Sequence, residues 1–319
     1  MGQEPRTVFL WTTPRSLSTV FTKCISFVDN VQIWFEPYGC AFGNKIYHSI
    51  KDNLKSEMND SSLRGFVDRQ DEEPTSTFSS SRNWFEEDIM TYPWVKAQLE
   101  TPDPKKPFRF IKNMAYNING DINFEYLPDI KCQHTFLIRN PLRIYSSCKV
   151  TVAASKASSN GFDDIDLKSV NLVKHFPYFP INTFYDTLYK LWRAVKTMEG
   201  RVPVVIDAEE LCNKPDILLG KYFEAVGLPW SEKYLSWDAS GDITKEWKTS
   251  KERMNPHSKI YKVWYKTAIE SSRFIPTEKR VLSVDELPRD LRECASKAMP
   301  LYKEMFESRT KVNDLEVAY

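Results

Sequence analysis

The chain has 319 residues, of which 41% are apolar and 27% charged, ordinary values for a globular protein that buries a sizeable core. Its 44 Lys and Arg residues nearly balance its 43 Asp and Glu residues, which gives a formal net charge of +1. The overall charge therefore provides no case for a nucleic acid or an anionic membrane as a partner. Any anion-binding site must be local.

Cysteine usage and hydropathy indicate a cytoplasmic protein. No C-x-x-C pair occurs, and scattered cysteines are typical of reduced thiols rather than of a disulfide framework. The N-terminal sequence MGQEPRTVFLW lacks a basic segment followed by a long apolar run, so we expect no signal peptide. No stretch approaches about 18 uninterrupted apolar residues, so we expect no membrane span. The six cysteines are Cys24, Cys40, Cys132, Cys148, Cys212 and Cys294.

Short β-rich apolar runs alternate with longer segments of helical periodicity, which predicts an α/β fold with a central parallel sheet flanked by helices. Strands are predicted at 7–11, 31–35, 108–112, 134–138 and 202–206. Helices are predicted between the first two strands, from Pro141 onward, and at 183–199, 214–226, 258–271 and 288–308.

Two segments are expected to be irregular within what we expect to be one domain over residues 1–319. Residues 51–82 are polar and Ser-rich, which indicates an insertion or lid. Residues 153–182 run from small residues into an aromatic, proline-rich stretch, which indicates a long loop of the kind that often carries function.

The segment after the first predicted strand has the features of a phosphate-binding loop. The following helix directs free amides and a partial positive charge toward it, and Arg15 adds a cation with two parallel donors. The alternative is an ordinary strand-to-helix turn with a Ser cap and a solvent-facing arginine. The segment consists of Thr12, Thr13, Pro14, Arg15, Ser16, Leu17, Ser18 and Thr19.

A second candidate anion site follows the strand at 134–138. Arg139 ends that strand, Asn140 and Pro141 begin a helix, and Arg143 and Ser147 lie four residues apart on one helical face. The alternative is a surface arginine beside a capping Asn-Pro pair. Ligands of open α/β sheets bind at the carboxyl ends of the strands, so a ligand with phosphates at two ends would use both sites.

These segments resemble the sulfotransferase family in three motifs that occur in the same order. Residues 12–19 match its loop T-x-P-[KR]-S-x-[ST]-T, and Arg139, Asn140, Pro141 and Ser147 match its R-[ND]-P motif with a later serine. Residues 204–230 resemble its strand, acidic-Leu turn and helix ending in F-x-x-x-G-L-P. The resemblance spans residues 7–230 and fades over 231–319.

The resemblance implies a P-loop fold with a five-stranded parallel sheet, and 3′-phosphoadenosine 5′-phosphosulfate as sulfuryl donor. The loop at 12–19 would bind the 5′-phosphosulfate, and Arg139 with Ser147 would bind the 3′-phosphate. The chain departs from many members at three places. Where many members have K-T-H, this chain has Lys112-Asn113-Met114, and where they have the tyrosine of Y-E-D-L, it has Ala208. The R-K-G motif near the C-terminus of those members is missing. The chain is therefore expected to be a divergent member.

Sulfuryl transfer needs a base for the acceptor proton and cations where charge builds up. We assign Arg15 to the leaving phosphate and Lys112 to the sulfuryl oxygens. Glu36, just past the second strand, is our candidate for the base, because some carbohydrate-type and bacterial family members resemble this layout. Its alternative role is an ion pair with Arg15 or Lys112. His257 is the second candidate for the base. The other histidines, His48, His134 and His175, are expected to be structural.

Two rival functions remain open at this stage. A P-loop kinase or NTPase would use Asp207 at a strand end for Mg²⁺, although the loop lacks the glycines and lysine of that class. A non-catalytic nucleotide-binding protein is the other. Sulfuryl transfer itself implies no metal. The acceptor is expected to be a small molecule that presents a hydroxyl or amine. The aromatic segments favour a phenol, alcohol or amine, whereas a polar pocket would suit a sugar equally well. The sequence does not specify the oligomeric state. Aromatic candidates for the acceptor pocket are Trp34, Tyr38, Trp84, Phe176 and Tyr178.

Overall fold

A computed structural model describes residues 5–56, 84–118, 124–160, 171–175, 179–277 and 283–313. Its centre is a sheet of five parallel strands in the order β2-β4-β1-β5-β6, which extends outward from β1 in both directions. A separate pair, β3 with β7, is also parallel. The strands are β1 Arg6–Thr12, β2 Val31–Phe35, β3 Trp84–Phe85, β4 Phe108–Met114, β5 Cys132–Ile138, β6 Val204–Asp207 and β7 Thr249–Ser250.

Helices connect the strands and cover both faces of the sheet. Between Met254 and Lys266, the chain forms a π-helical turn over Tyr261–Tyr265. The α-helices are α1 Ser18–Ile25, α2 Pro37–Ser56, α3 Tyr92–Glu100, α4 Pro141–Asn160, α5 Leu172–His175, α6 Phe184–Glu199, α7 Ala208–Asn213, α8 Pro215–Val226, α9 Lys251–Met254, α10 Lys266–Ile269 and α11 Arg289–Glu307. In the described parts of the chain, no helix is long and apolar enough to cross a membrane.

Two hydrophobic cores, one on each face, follow from the alternation of side chains along the strands. Phe9 and Trp11 of β1 belong to the core under α4, α6 and α11, whereas Val8 and Leu10 belong to the core under α1 and α8. Every β1 position from Thr7 to Thr12 is buried, as expected for a central strand of a parallel sheet covered on both faces.

The strand register aligns the carboxyl ends of the three central strands. Thr12, the last residue of β1, is paired with Met114 of β4 and Leu137 of β5. The loop that follows β1, Lys112 near the end of β4, and Arg139 just past β5 therefore lie at one edge of the sheet. That edge is where ligands of open α/β sheets bind.

The predicted α/β fold with about five parallel strands flanked by helices is confirmed, and each predicted strand overlaps an observed one. The long loop predicted over 153–182 is wrong over 153–160, because α4 continues to Asn160, and over Leu172–His175, which form α5. Val152 and Ala153 are buried in the core, and alanine favours a helix. The helix predicted over 258–271 contains the π-helical turn. Most of the predicted insertion at 51–82, and all of residues 161–170, lie outside the described residues.

His134 has the structural role expected from the sequence. Its side chain is buried in the sheet, and Trp11 Nε1 donates a 2.9 Å hydrogen bond to His134 Nδ1. That bond requires an unprotonated Nδ1. Burial lowers the pKa of His134 to about 4, because the imidazolium would lose its hydration.

Stability should therefore fall as the pH drops from about 6.5 to about 4. In this interval the unfolded histidine binds a proton that the folded one does not, and the full effect is on the order of 3 kcal/mol. His134→Gln keeps an acceptor for Trp11 and should remove this contribution, which urea unfolding at several pH values would measure. His48→Gln, at an exposed helical position, is the matched control. An unchanged pH slope in His134→Gln would contradict the assignment.

Candidate functional site

The loop between β1 and α1 adopts a strained conformation. Arg15 and Leu17 have φ values of 60° and 67°, in the left-handed region that side chains other than glycine rarely adopt. Glu36, at the turn after β2, has φ 53°. All three residues line one cavity. Backbone strain of this kind is concentrated at functional sites, which supports a functional role for this end of the sheet.

The first turn of α1 is available to an anion. The helix begins at Ser18 after Leu17, and no side chain caps its first amides. Those amides point toward the cavity end of the helix together with the positive end of its dipole. Ser18 and Thr19 line the cavity. The loop thus has the form of an anion-binding helix terminus.

The hydroxyls of Thr12 and Ser16 stabilise the loop and do not line the cavity. Thr12 Oγ1 donates a 2.8 Å hydrogen bond to the carbonyl oxygen of Leu137 on β5 and also contacts Ser16 Oγ. These contacts attach the loop to the neighbouring strand. Thr13 is buried and does not line the cavity, and its Oγ1 has no hydrogen-bond partner among the described residues.

The two anion sites predicted from the sequence meet in space. Arg15 Nε donates a 2.9 Å hydrogen bond to Ser147 Oγ, and Arg139 Nη1 donates a 2.8 Å bond to the carbonyl oxygen of Arg15. Arg15 Nη1 also lies 3.3 Å from the carbonyl oxygen of Trp264. The predicted cap is present as well, since Asn140 Oδ1 accepts from Leu142 N at 3.0 Å. One ligand can reach both arginines.

Arg15 and Arg139 are partly buried, which affects their charge. Burial lowers the pKa of Arg15 and of Arg139, because each guanidinium loses hydration. Glu209 opposes the effect at Arg139, whose Nε lies 3.8 Å from Glu209 Oε1, and the same oxygen pairs with Arg143. A phosphate at this position would replace lost hydration with charge-assisted hydrogen bonds.

The shared cavity has a volume of about 360 Å³. Residues between Pro14 and Val20 line one part of the cavity, and Arg139 lines it just after β5. Trp264, Tyr265 and Arg273, from the part of the chain after β7 that we call the C-terminal segment, line the rest. This volume falls in the range of small-molecule sites, roughly 300–1,000 Å³.

Glu36 is the centre of a buried charged cluster, which we call the Glu36 cluster: Glu36, Lys112, Arg253 and Tyr265. Lys112 Nζ donates to Glu36 Oε1, and Arg253 Nη1 donates to Oε2. Tyr265 OH donates to Oε2 at 2.9 Å. Glu36 is 2% exposed and Lys112 is 0% exposed. The ion pair with Lys112 that the sequence left open is therefore present, with Arg253 as an additional partner.

The electrostatics of the cluster keep Glu36 ionised. Burial alone would raise the pKa of Glu36, but the charges of Lys112 and Arg253 and the hydrogen bonds from Lys112 and Tyr265 outweigh it. The pKa therefore lies below its ordinary value. Both carboxylate oxygens are occupied by donors. The assignment of Glu36 as a general base stays a prediction.

The structure does not bring all predicted residues to the cavity. Ser147 accepts a hydrogen bond from Arg15 but does not line the cavity. Lys112 lies behind Glu36 and does not line it. His257 is exposed on the turn after α9, where its backbone amide donates to Asn255 Oδ1 at 3.0 Å, and it does not line the cavity either.

The aromatic residues proposed for an acceptor pocket are placed elsewhere. Trp34 and Tyr38 are 1% and 0% exposed in the core, so they are not pocket residues. Trp84 donates to the carbonyl oxygen of Thr244 at 3.1 Å. Phe176 and Tyr178 lie outside the described residues. Trp34 and Tyr38 belong to the core because their positions in β2 and α2 are buried.

Sequence reasoning missed most of the C-terminal contribution, which consists of Arg253, Trp264, Tyr265 and Arg273. Arg253 lies among basic residues that form no recognisable motif. Trp264, Tyr265 and Arg273 show no sequence pattern that distinguishes them from ordinary helix or loop residues. The π-helical turn that contains Trp264 and Tyr265 is a feature often found at functional sites, but only the folded backbone displays it.

Asp207, the candidate Mg²⁺ ligand of the rival kinase function, has its oxygens engaged by the protein. Oδ1 accepts from the amides of Glu209 and Glu210 at 3.0 Å, and Oδ2 accepts from Tyr302 OH at 3.1 Å. Burial raises the pKa of Asp207 to about 6. Asp207 therefore caps α7. In the parts of the chain that the structure describes, no group of three or more His, Cys, Asp or Glu residues suits a metal ion.

Comparisons with known proteins give weak similarities. No family model matches the chain. The chain is 24% identical over 298 residues to "Branched-chain-amino-acid aminotransferase-like protein 2" of Arabidopsis thaliana. That match covers 92% of this chain but spans only 40% of the length of the Arabidopsis protein.

Two solved structures align with most of the chain at low similarity. The sulfotransferase domain from the curacin biosynthetic pathway aligns with a TM-score of 0.42 and 11% identity, covering 96% of this chain and 97% of that one. The sulfotransferase domain from the Synechococcus PCC 7002 olefin synthase aligns with a TM-score of 0.40 and 13% identity, covering 92% and 95%. The assignment of the fold rests on the strand order itself.

The Glu36 cluster generates a prediction about stability. Glu36→Gln should destabilise the protein by about 3–5 kcal/mol, because it leaves two cations at a buried site without their anion. Tyr265→Phe removes one hydrogen bond and should lower stability by about 1 kcal/mol. Adding Lys112→Met to Glu36→Gln should recover part of the loss. Denaturant unfolding measures all three, and equal small losses for Glu36→Gln and Tyr265→Phe would show that the cluster is effectively solvated.

Proposed function

We propose that this chain is a sulfotransferase that moves the sulfuryl group of 3′-phosphoadenosine 5′-phosphosulfate to a hydroxyl or amine of a small-molecule acceptor by in-line displacement. The observation that carries the proposal is that Arg15 and Arg139 line one cavity, with Arg15 hydrogen-bonded to Ser147 and Arg139 to the carbonyl oxygen of Arg15. A nucleotide with phosphate groups at its 3′ and 5′ positions is the ligand for which two adjacent anion sites at neighbouring strand ends are suited.

In this proposal the amides at the start of α1 and the Arg15 guanidinium hold the 5′-phosphate. Arg139 and Ser147 hold the 3′-phosphate. During transfer, negative charge increases on the 5′-phosphate as its bond to sulfur breaks. Arg15 stabilises that charge, and it does so strongly because the site is largely shielded from water. Arg273 on the facing wall adds a further cation near the nucleotide.

Glu36 is the group we propose for the acceptor proton. It lines the nucleotide cavity and its carboxylate is ionised. To accept a proton, one oxygen must give up a hydrogen bond from Arg253, Tyr265 or Lys112. Lys112 then acts through Glu36 as a positioning residue, and we propose that it reaches the sulfuryl oxygens only if that ion pair opens.

A second candidate function, a non-catalytic nucleotide-binding protein, is favoured by one observation. Both oxygens of Glu36 accept hydrogen bonds, which is the arrangement expected of a structural ion pair. This candidate predicts binding of 3′,5′-bisphosphoadenosine without transfer to any acceptor. A radiolabelled sulfate-transfer screen over mixed metabolites decides between the two functions.

Calorimetric titration with 3′,5′-bisphosphoadenosine and with ATP tests the nucleotide site. We expect the bisphosphate to bind more tightly, and Arg15→Met and Arg139→Met each to weaken it by roughly 10- to 100-fold, as loss of a charge-assisted hydrogen bond implies. Arg193→Met is the control, because Arg193 is exposed and pairs with Glu304. Equal binding of ATP, or full affinity in Arg139→Met, would count against the proposal.

The role of Glu36 is tested by kinetics on a soluble, folded variant. Glu36→Gln should lower turnover by about 10²- to 10⁴-fold, the range for a positioned base, while the affinity for 3′,5′-bisphosphoadenosine stays nearly unchanged. Circular dichroism at the assay temperature establishes that the variant is folded. Normal turnover in Glu36→Gln would remove Glu36 from the role of base.

A further inference from the structure

Arg139 is held by the protein at its backbone and at two nitrogen atoms of its guanidinium group. Nη1 donates the 2.8 Å hydrogen bond to the carbonyl oxygen of Arg15, and Nε lies 3.8 Å from Glu209 Oε1. At the backbone, Tyr185 OH donates to the carbonyl oxygen of Arg139 and accepts from its amide at 3.2 Å. The guanidinium group is a rigid plane, so contacts at two of its nitrogen atoms fix its orientation.

Glu209 contacts Arg139 from outside the nucleotide cavity. Arg139 lines this cavity, and so does Cys212, one turn after Glu209 on α7, whereas Glu209 does not. The carboxylate therefore restrains the arginine without taking the place of a ligand. A residue in this position acts on a ligand through Arg139.

The charges around Arg139 make this restraint important. Burial is the largest cause that lowers the pKa of Arg139, and the positive charges of Arg143 and Arg15 lower it further, while the charge of Glu209 opposes them. Glu209 Oε1 also pairs with Arg143 Nε. Removing the charge of Glu209 would leave the hydrogen bond to the Arg15 carbonyl oxygen to hold the side chain against repulsion from two neighbouring guanidinium groups.

The position of Glu209 is itself fixed by the residues around it. Asp207 Oδ1 accepts from the amides of Glu209 and Glu210 at 3.0 Å and thereby caps the first turn of α7. Tyr302 OH of α11 donates to Asp207 Oδ2 at 3.1 Å. The carboxylate of Glu210 accepts two hydrogen bonds from Arg309, at 2.6 Å and 2.7 Å. The turn that carries Glu209 is therefore held by β6 on one side and by α11 and the residues after it on the other.

We propose that Glu209 is a positioning residue that makes the nucleotide site select a 3′-phosphate over a 3′-hydroxyl, by holding Arg139 in the orientation that the phosphate needs. This inference rests on the proposed function, in which Arg139 binds the 3′-phosphate. An arginine that is already oriented loses little conformational freedom when the phosphate arrives, so its charge-assisted hydrogen bonds contribute more fully to affinity. Simple electrostatics predicts the opposite effect, because the negative charge of Glu209 repels a phosphate.

Calorimetric titration of the full chain with 3′,5′-bisphosphoadenosine and with adenosine 5′-monophosphate distinguishes the two effects. Glu209→Gln removes the charge and nearly preserves the shape of the side chain. We expect the ratio of the two affinities to fall at least about tenfold, because the bisphosphate binds more weakly while the monophosphate is nearly unaffected. Glu304→Gln is the matched control, because Glu304 is an exposed carboxylate that pairs with Arg193, and it should change neither affinity. A ratio that is unchanged or higher in Glu209→Gln would overturn the inference.

The restraint on Arg139 is measured without a nucleotide, by nitrogen NMR relaxation of the arginine Nε groups. The signal of Arg139 is identified by its loss in Arg139→Lys. We expect Arg139 Nε to be rigid in wild type and in Glu304→Gln, and mobile on the nanosecond timescale in Glu209→Gln. Equal rigidity in wild type and Glu209→Gln would contradict the positioning role. If wild type binds the monophosphate as tightly as the bisphosphate, the proposed function is wrong, and the relaxation comparison still decides whether Glu209 positions Arg139.

Discussion

The parallel pairing of β1 with β5 is the constraint on which the candidate site depends. It places the turn after β1 beside the residue that ends β5, and the bond from Thr12 Oγ1 to the Leu137 carbonyl oxygen joins the two strands at that point. The left-handed backbone at Arg15 then directs its carbonyl oxygen to Arg139 and its side chain to Ser147. Two segments more than a hundred residues apart thus bring Arg15 and Arg139 together in one surface.

The C-terminal segment completes this surface because it is fixed to both β2 and α1. Lys248 exchanges backbone hydrogen bonds with β2, through Phe35 N to Lys248 O at 2.9 Å and Lys248 N to Ile33 O at 2.8 Å. Lys23 of α1 is buried and donates to the carbonyl oxygens of Asp238, Ile269 and Ser271. These attachments hold Arg253 against Glu36, and Trp264 and Tyr265 against the loop. The helix that presents amides to an anion is thereby joined to the wall that faces them.

The pair Arg15 and Arg139 differs from the Glu36 cluster in how its charges are compensated. Arg15 and Arg139 are mainly satisfied by neutral oxygens, with Glu209 at the margin, so an anion of the ligand supplies what the protein does not. The Glu36 cluster, by contrast, already contains its anion and has one excess positive charge. The first arrangement is the one that an anionic ligand would complete. Glu36 lines the same cavity as Arg15 and Arg139.

The sequence by itself determined the fold class, the strand positions and the placement of Arg15 and Arg139 just after strand ends, because those features are local. Buried parallel strands have continuous apolar runs, and a strand-end loop followed by a helix terminus is encoded in consecutive residues such as 12–19. The chemistry of a loop residue can be read in the same way, as at Arg15 and Arg139.

Only the tertiary structure decided the state of Glu36 and the makeup of the cavity walls. The partners of Glu36 come from β4 and from residues 253 and 265, and no sequence period links positions more than 200 residues apart. Trp34 and Tyr38 likewise became core residues because their positions in β2 and α2 face inward, whereas Phe42 and Ile46 of the same helix line a cavity. Which side chains meet depends on how the elements pack, and local patterns do not encode that packing.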